Sequence, residues 1–321
     1  MQDMQDILET YDTPDMHGFI FLGDLINLEE SEESIEIIDN HFLRRAKGEE
    51  IDHIKRELDL LVDSRLMITR HESIYKKDGS LNNLRRDHWN YWIIKVDKFE
   101  SDTNPFYDAI SLCSKDLNRL FDCVGFGDRG TTGRRFKPNI FYNFLEEVWI
   151  DNYTKSFSKK DAKEIHELHK LLSAFKAIEG NYSSIRKALQ DFRMLKVVPR
   201  KTPFFFVSMF SIIESLIAHN PTSESKSISH QLATKLFLLN RRFEEPMVLD
   251  NYFKNPASFE KTIKLLYTYR SDIAHGNSVN FDKLQAIEGK EKASDFLYQL
   301  LKNIIIQSLR EPNLITDLKS V

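Results

Sequence analysis

The stretch PFFFVSMFSIIESLIAH, residues 203–219, decides how the second half of the chain is read. It is apolar almost throughout, so it is either a bilayer span or a helix buried in a protein core. A span takes about 20 apolar residues, and this stretch is short for that and carries Glu214. A carboxylate inside the hydrocarbon layer is costly, whereas a protein core can supply it with a cation. The stretch therefore predicts a core helix of a soluble protein, with no membrane partner.

Amphipathic segments surround it. DAKEIHELHKLLSAFKAI (161–178) sets Ile165, Leu168, Leu172 and Phe175 at helical spacing, with Gly180 as a stop. SSIRKALQDFRML (183–195) opens on serines able to cap the first free amides. VVPRKTP (197–203) and NPTSESKS (220–227) are breaks, and a helix is predicted near 227–242. PASFEKTIKLLYTYRSDIAHG (256–276) runs from Pro256 to Gly276, and KEKASDFLYQLLKNIIIQSL (290–309) is the last long segment. Together they predict one helical bundle over residues 161–321.

The first half is more mixed. HGFIFLG (17–23) and NYWIIKVDKF (90–99) suit strands. EESIEIIDNHFLRRA (32–46), EIDHIKRELDLLV (50–62), PFYDAISLCSKDLNRLF (105–121) and NIFYNFLEEVWI (139–150) suit helices. The expectation is a mainly α protein, with a mixed or mainly helical N-terminal domain over residues 1–160. The boundary is placed near TKSFSKKD (154–161).

A chain of 321 residues has room for two such domains, and 41% hydrophobic with 29% charged residues describes a folded protein. Cys113 and Cys123 are too few for a disulfide framework, and MQDMQDILETYD lacks the basic start and apolar run of a signal peptide. A cytoplasmic protein is expected. The net charge of −4 is unevenly spread: residues 1–160 hold 31 acids against 22 Lys and Arg, and residues 161–321 hold 18 against 23. The first 43 residues carry twelve acids and no Lys or Arg. Such asymmetry bears on partners: an acidic segment is either a solvated face or a cover for a basic cleft.

Chemistry concentrates where the fifth helical segment ends, in TYRSDIAHGN (268–277). Arg270 and His275 lie five residues apart, about 140° around a straight helix. Gly276 favours the left-handed position that ends a helix, and such an end would open the last turn and let the imidazole swing towards the guanidinium. Ser271 and Asp272 stand four and three residues before His275, the offsets that bring side chains together, so either could hold the ring. Arginine gives a permanent planar donor for phosphate, and histidine moves protons near neutrality. No acidic cluster with metal-ligand spacing accompanies them, and no cofactor is expected. The pair suits cleavage of a phosphodiester whose nucleophile the substrate brings, which is the ribose 2′-hydroxyl of RNA. The plainer alternative is a polar helix end, with histidine favoured by the dipole and arginine paired to an acid.

The region 200–276 resembles HEPN domains, specifically the Apea-like HEPN group. The resemblance rests on FFFVSMFSIIESLIAH, SHQLATKLFLLNRR and IKLLYTYRSDIAHGN in that order, and above all on the Y-x-x-R-S-x-I-x-H-G string from Tyr267 to Gly276. It implies a helical bundle that forms a homodimer and lines one cleft with two R-x4-H motifs. It further implies a metal-independent endoribonuclease that leaves a 2′,3′-cyclic phosphate, with Arg270 and His275 catalytic. Glu214 matches the family's embedded glutamate and is expected to meet Arg270, while Ser271 stands where many members carry another small polar residue. The implied setting is anti-phage defence or a toxin-like system, with the N-terminal domain answering a phage-derived or protein trigger. Some HEPN domains are catalytically silent and serve dimerisation or nucleotide binding, which is the alternative.

Other motifs are weaker. VGFGDRGTTGRRFK (124–137) contains G-x-G-x-x-G at Gly125, Gly127 and Gly130, but the helical look of the residues before it and the polar, basic run after it do not suit a dinucleotide loop. It reads as a surface loop, or as one whose Arg129, Arg134, Arg135 and Lys137 touch RNA phosphates. HELH puts His166 and His169 on adjacent helical positions without further ligands, so no metal site is assigned. Trp89, Tyr91 and Trp92, near Arg85, Arg86 and His88, are core and surface aromatics or a base-stacking set. His219 reads as a capping or core histidine.

Overall fold

The computed structural model describes residues 17–29, 32–61, 73–75, 81–83, 90–100, 102–125, 133–136, 154–196, 198–200, 202–219, 227–280 and 289–320. The chain divides into two compact units, Met1–His169 and Lys170–Val321.

The first unit is built on β1 (Gly18–Leu22), β2 (Leu25–Leu28), β3 (Ser34–Ile38), β4 (His41–Arg45), α1 (Glu49–Leu61), β5 (Ser73–Tyr75), β6 (Leu81–Asn83), β7 (Trp92–Val96), α2 (Asn104–Leu112), β8 (Arg119–Val124), β9 (Gly133–Phe136) and β10 (Thr154–Phe157). Six strands form one sheet in the order β3-β4-β7-β1-β8-β9, with every pairing antiparallel. β10 pairs in parallel with β2, and β5 pairs with β6. β1 and β7 lie at the centre and read as continuous apolar runs because both sheet faces are covered. On one face Phe19, Phe21, Tyr91, Ile93, Phe121 and Cys123 pack with Ile54 of α1. On the other, Asp122 accepts a hydrogen bond from Tyr107 of α2. Arg119 reaches the same carboxylate at 2.9 Å, so this buried charge is compensated.

The expectation of a mainly α chain is therefore corrected: the protein is mixed α/β, with a six-stranded antiparallel sheet in its first unit. Two segments account for the difference. EESIEIIDNHFLRRA is the β3–β4 hairpin; its exposed Ser34 and Glu36 alternate with buried Ile35 and Ile37, and Asn40 turns the chain at φ 65°. Apolar residues at Ile35, Ile38 and Phe42 also satisfy helical spacing, so periodicity alone could not separate the two. PFYDAISLCSKDLNRLF begins as α2 and ends inside β8. HGFIFLG and NYWIIKVDKF contain strands as expected, and EIDHIKRELDLLV is helical through Leu61 as part of α1. NIFYNFLEEVWI lies outside the described residues. Of the acidic first 43 residues, β1 is buried at the sheet's centre, so Gly18–Leu22 belong to the core of the first unit rather than to a cover.

The boundary between units falls inside α3 (Lys159–Lys176). The second unit continues with α4 (Ser183–Leu195), α5 (Pro203–Ile217), α6 (Ile228–Asn240), α7 (Phe259–Ala274), α8 (Lys290–Arg310) and α9 (Pro312–Ser320). α5 is the hub and packs against α4, α6, α7, α8 and α9. It starts at Thr202, whose hydroxyl accepts from the Phe205 amide, with Pro203 where its missing N–H costs nothing. It buries Phe205, Phe206, Met209, Phe210, Ile212, Ile213, Leu216 and Ile217, each contributing roughly 1.5–3 kcal/mol. Its last carbonyls are met by two lysines: Lys235 donates to Ile217 at 2.9 Å and Lys319 to Ser215 at 2.6 Å. Burial lowers the Lys235 ammonium below its ordinary value. Among the described residues no helix is long and apolar enough to cross a membrane.

Candidate functional site

α7 carries the candidate chemistry at its C-terminal end. The helix begins on Ser258, whose hydroxyl accepts from the Lys261 amide, and buries Phe259, Thr262, Ile263, Leu266 and Tyr269. Its end is a Schellman motif. Gly276 stands at φ 75° and donates to the Ile273 carbonyl, and Asn277 donates to the Asp272 carbonyl at 2.8 Å. The glycine stop read from the sequence is thus formed, and it leaves His275 exposed at the helix end.

Arg270 faces α5. Its Nε lies 3.2 Å from Glu214 Oε1, and Nη2 donates to Oε2 at 3.4 Å. The two side chains are 25% and 20% exposed, so the pair is half-buried and open on one side. The expected meeting of Glu214 with Arg270 occurs, but loosely. Nε and Oε1 are buried and stand close without hydrogen-bond alignment. The contrast with Arg44 and Glu50 is informative, because that fork closes at 2.7 and 2.8 Å. Burial pushes the Glu214 carboxyl above its ordinary value, and Arg270 offsets only part of this.

Tyr267 completes the cluster. It precedes Arg270 by three residues, which puts the two about 60° apart on one helix face. The Arg270 guanidinium carbon lies 5.7 Å from the Tyr267 ring centroid, within cation–π range. The ring also stands edge-on to Phe210 of α5, with centroids 5.7 Å apart. Burial, then the charge of Glu214, raise its phenol above the ordinary value. In the sequence Tyr267 stands out only as the first residue of the Y-x-x-R string, and its three-residue spacing from Arg270 is the signal that pairs the two.

Ser271 and Asp272 are half-buried, and neither holds the His275 ring. Asp272 instead takes the Asn277 side-chain amide at 3.5 Å, and among described residues the imidazole makes no hydrogen bond. Arg134 and Arg135 lie on β9, paired with Cys123 and Asp122. Arg129, Lys137, Trp89, Arg85, Arg86 and His88 lie outside the described residues. A strand precedes G-x-G-x-x-G, but β9 follows it and pairs back on β8, so this is a hairpin rather than a strand-to-helix dinucleotide turn. Tyr91 and Trp92 are core residues. His169 packs against Phe106 and lies 3.5 Å from Glu100. His219 is pinned through its backbone by Gln231, with Lys235 Nζ 3.4 Å from its Nδ1.

A second cluster of titratable side chains sits in the first unit's core. Cys123 Sγ lies 2.8 Å from His53 Nε2, and Glu57 approaches the same nitrogen at 3.6 Å. A nucleophile relay would need the acid on the opposite ring nitrogen, so these three groups do not form one. Among the described residues no group of three or more His, Cys, Asp or Glu is placed to hold a metal ion.

The class defined so far is a two-unit α/β protein whose helical unit presents an arginine, a glutamate and a tyrosine between α5 and α7, with a histidine at the end of α7. Comparison with family models, curated proteins and solved structures finds no match.

Proposed function

We propose that the protein is a metal-independent endoribonuclease of HEPN type, acting as a homodimer through its helical unit in anti-phage defence or a toxin-like system. The observation that carries this reading is the end of α7, where an exposed imidazole follows a half-buried, solvent-reachable guanidinium on the same helix. In this scheme His275 takes the proton of the RNA 2′-hydroxyl or returns one to the departing 5′-oxygen. The 2′-oxygen forms a bond to phosphorus as the 5′-oxygen leaves, giving a 2′,3′-cyclic phosphate. Arg270 stabilises the added negative charge on the phosphoryl oxygens. A second copy of the chain supplies the other R-x4-H motif, which lets acid and base roles fall on different protomers. The first unit answers the trigger.

The test is incubation of the purified chain with mixed RNA in EDTA, beside Arg270→Ala and His275→Ala. Cleavage by the parent that drops at least about 100-fold in each variant supports the proposal. Equal traces from all three chains, with candidate phage triggers added, overturn it.

A specific observation favours a second reading, a silent HEPN module for dimerisation or nucleotide binding. Arg270 is engaged by Glu214, and His275 has no described partner to fix its tautomer. The same experiment separates the two, because a silent module leaves RNA intact in every lane.

A further inference from the structure

The cluster between α5 and α7 is unequal in its charges and donors. Two groups on α7 can address an anion: the Arg270 guanidinium, and the Tyr267 hydroxyl, which makes no hydrogen bond with a described residue. One group on α5, Glu214, is itself an anion and takes the guanidinium with poor alignment. Arg270 Nε and Glu214 Oε1 are both buried without a hydrogen bond, and a buried donor left in that state costs about 1–3 kcal/mol. The chain can build the tight fork, as Arg44 and Glu50 show. At Arg270 it does not, and there the guanidinium also lies over the Tyr267 ring, which stands edge-on to Phe210. The guanidinium is thus positioned from α7 and only borrowed by Glu214.

We propose that Glu214 is an internal competitor that occupies the place of a phosphate group, and that Tyr267 is the second donor of the phosphate site formed when Glu214 is displaced. The inference rests on the reading of Arg270 as the phosphate-facing group. A phosphoryl oxygen approaching from the open side takes an Nη–H of Arg270 first, takes the buried Nε–H once Glu214 has turned away, and accepts the Tyr267 O–H. Glu214 gives up a long contact, and its half-buried carboxyl, already raised by burial, takes a proton or turns to water. The desolvation that makes Glu214 a poor resident is what makes it displaceable. The resting protein is restrained by its own carboxylate, and a polyanion with several phosphates displaces it at a lower concentration than a single weak anion does. Tyr267 acts here as a positioning residue for Arg270 as well as a donor.

The experiment measures binding without cleavage. The full chain is titrated with inorganic phosphate, and with a fluorescent 2′-O-methyl RNA oligonucleotide that cannot be cut. Glu214→Gln is expected to bind both about five-fold more tightly than the parent, Tyr267→Phe about five-fold more weakly, and Arg270→Ala to lose phosphate binding. Glu260→Gln, the same loss of charge on the first turn of α7, is expected to change affinity less than about two-fold. Equal or weaker binding by Glu214→Gln, or an unchanged affinity in Tyr267→Phe, overturns the proposal. So does an equal gain in Glu260→Gln, which would reduce Glu214 to general repulsion. Should Glu214→Gln fail to fold, Glu214→Asp keeps the charge while withdrawing it by one methylene, and it must fall between parent and the values given above. In the parent itself, the Arg270 Nε–H resonance must move saturably with phosphate, and a fixed resonance overturns the proposal. RNA cleavage tests only the nuclease reading, whereas the order of phosphate affinities tests only this one.

Discussion

Gly276 and Gly18 show what a single position can and cannot announce. Gly276 stands at φ 75°, where a side chain forces the backbone into strain, and a Cβ there would meet nothing within 4 Å. The cost of Gly276→Ala is therefore conformational alone, about 1 kcal/mol, and Gly276→Asn costs less because asparagine tolerates the left-handed region. Urea unfolding followed by helical ellipticity checks this, and an alanine variant as stable as its parent would refute the assigned cap. This position was legible in the sequence because the helix pattern stops beside it. Gly18 was not. A Cβ there would stand 1.9 Å from the Cys123 carbonyl oxygen, since β8 runs against β1 at that point. The constraint comes from a strand a hundred residues away in the chain, which no local pattern displays. The site divides the same way. Arg270, His275 and Glu214 were readable from residue type and spacing, but the looseness of the Arg270–Glu214 contact exists only in the packing of α5 against α7.

At the scale of elements, the helices of the second unit were readable and the strands of the first only in part. Serine or threonine caps begin α5, α6 and α7 at Thr202, Ser227 and Ser258, and each apolar face keeps a helical period, so local and tertiary signals agree. The β3–β4 segment satisfies two periods at once, and the decision falls to long-range pairing of β4 with β7. The hairpin and helix readings of this segment predict opposite signs for one substitution. In the hairpin, Asn40 turns the chain at φ 65°, so Asn40→Ala costs about 1–2 kcal/mol and Asn40→Gly is neutral or mildly stabilising. In a helix, alanine at this position would stabilise and glycine would destabilise. The midpoint of urea unfolding read by tryptophan fluorescence decides, because all three tryptophans, Trp89, Trp92 and Trp149, belong to the first unit. A more stable alanine variant would contradict the hairpin.

Over the whole molecule, two units with separate cores should answer acid differently between pH 7.5 and 5, because His41 in the first and Glu214 in the second are shifted in opposite senses. In the first unit, burial lowers the His41 imidazole below its ordinary 6.5. The hydrogen bond with the Asp39 carbonyl, Glu100 and Asp97 oppose that shift, and His169 adds to it. A group whose folded pKa is depressed in this way binds its proton later in the native state than in the unfolded chain. Its contribution is complete above pH 6.5 and is lost as pH falls from there towards the folded value. In the second unit burial raises Glu214 above its ordinary 4.5, so the native state takes up a proton before the unfolded chain does. That contribution has the other sign and grows as pH falls through the folded value. Asp161, whose carboxyl is lowered despite its burial by bonds from Ser158 and Lys115, releases stability only below 3.8 and lies outside this range. Between pH 7.5 and 5, tryptophan fluorescence should therefore report a falling midpoint for the first unit. Ellipticity at 222 nm, dominated by α4 to α9, should hold or rise in its later component. His41→Gln should flatten the fluorescence trend while leaving the helical one in place. Two probes that fall together in both the parent and His41→Gln would show that neither the division of the stability nor its assignment to His41 is correct.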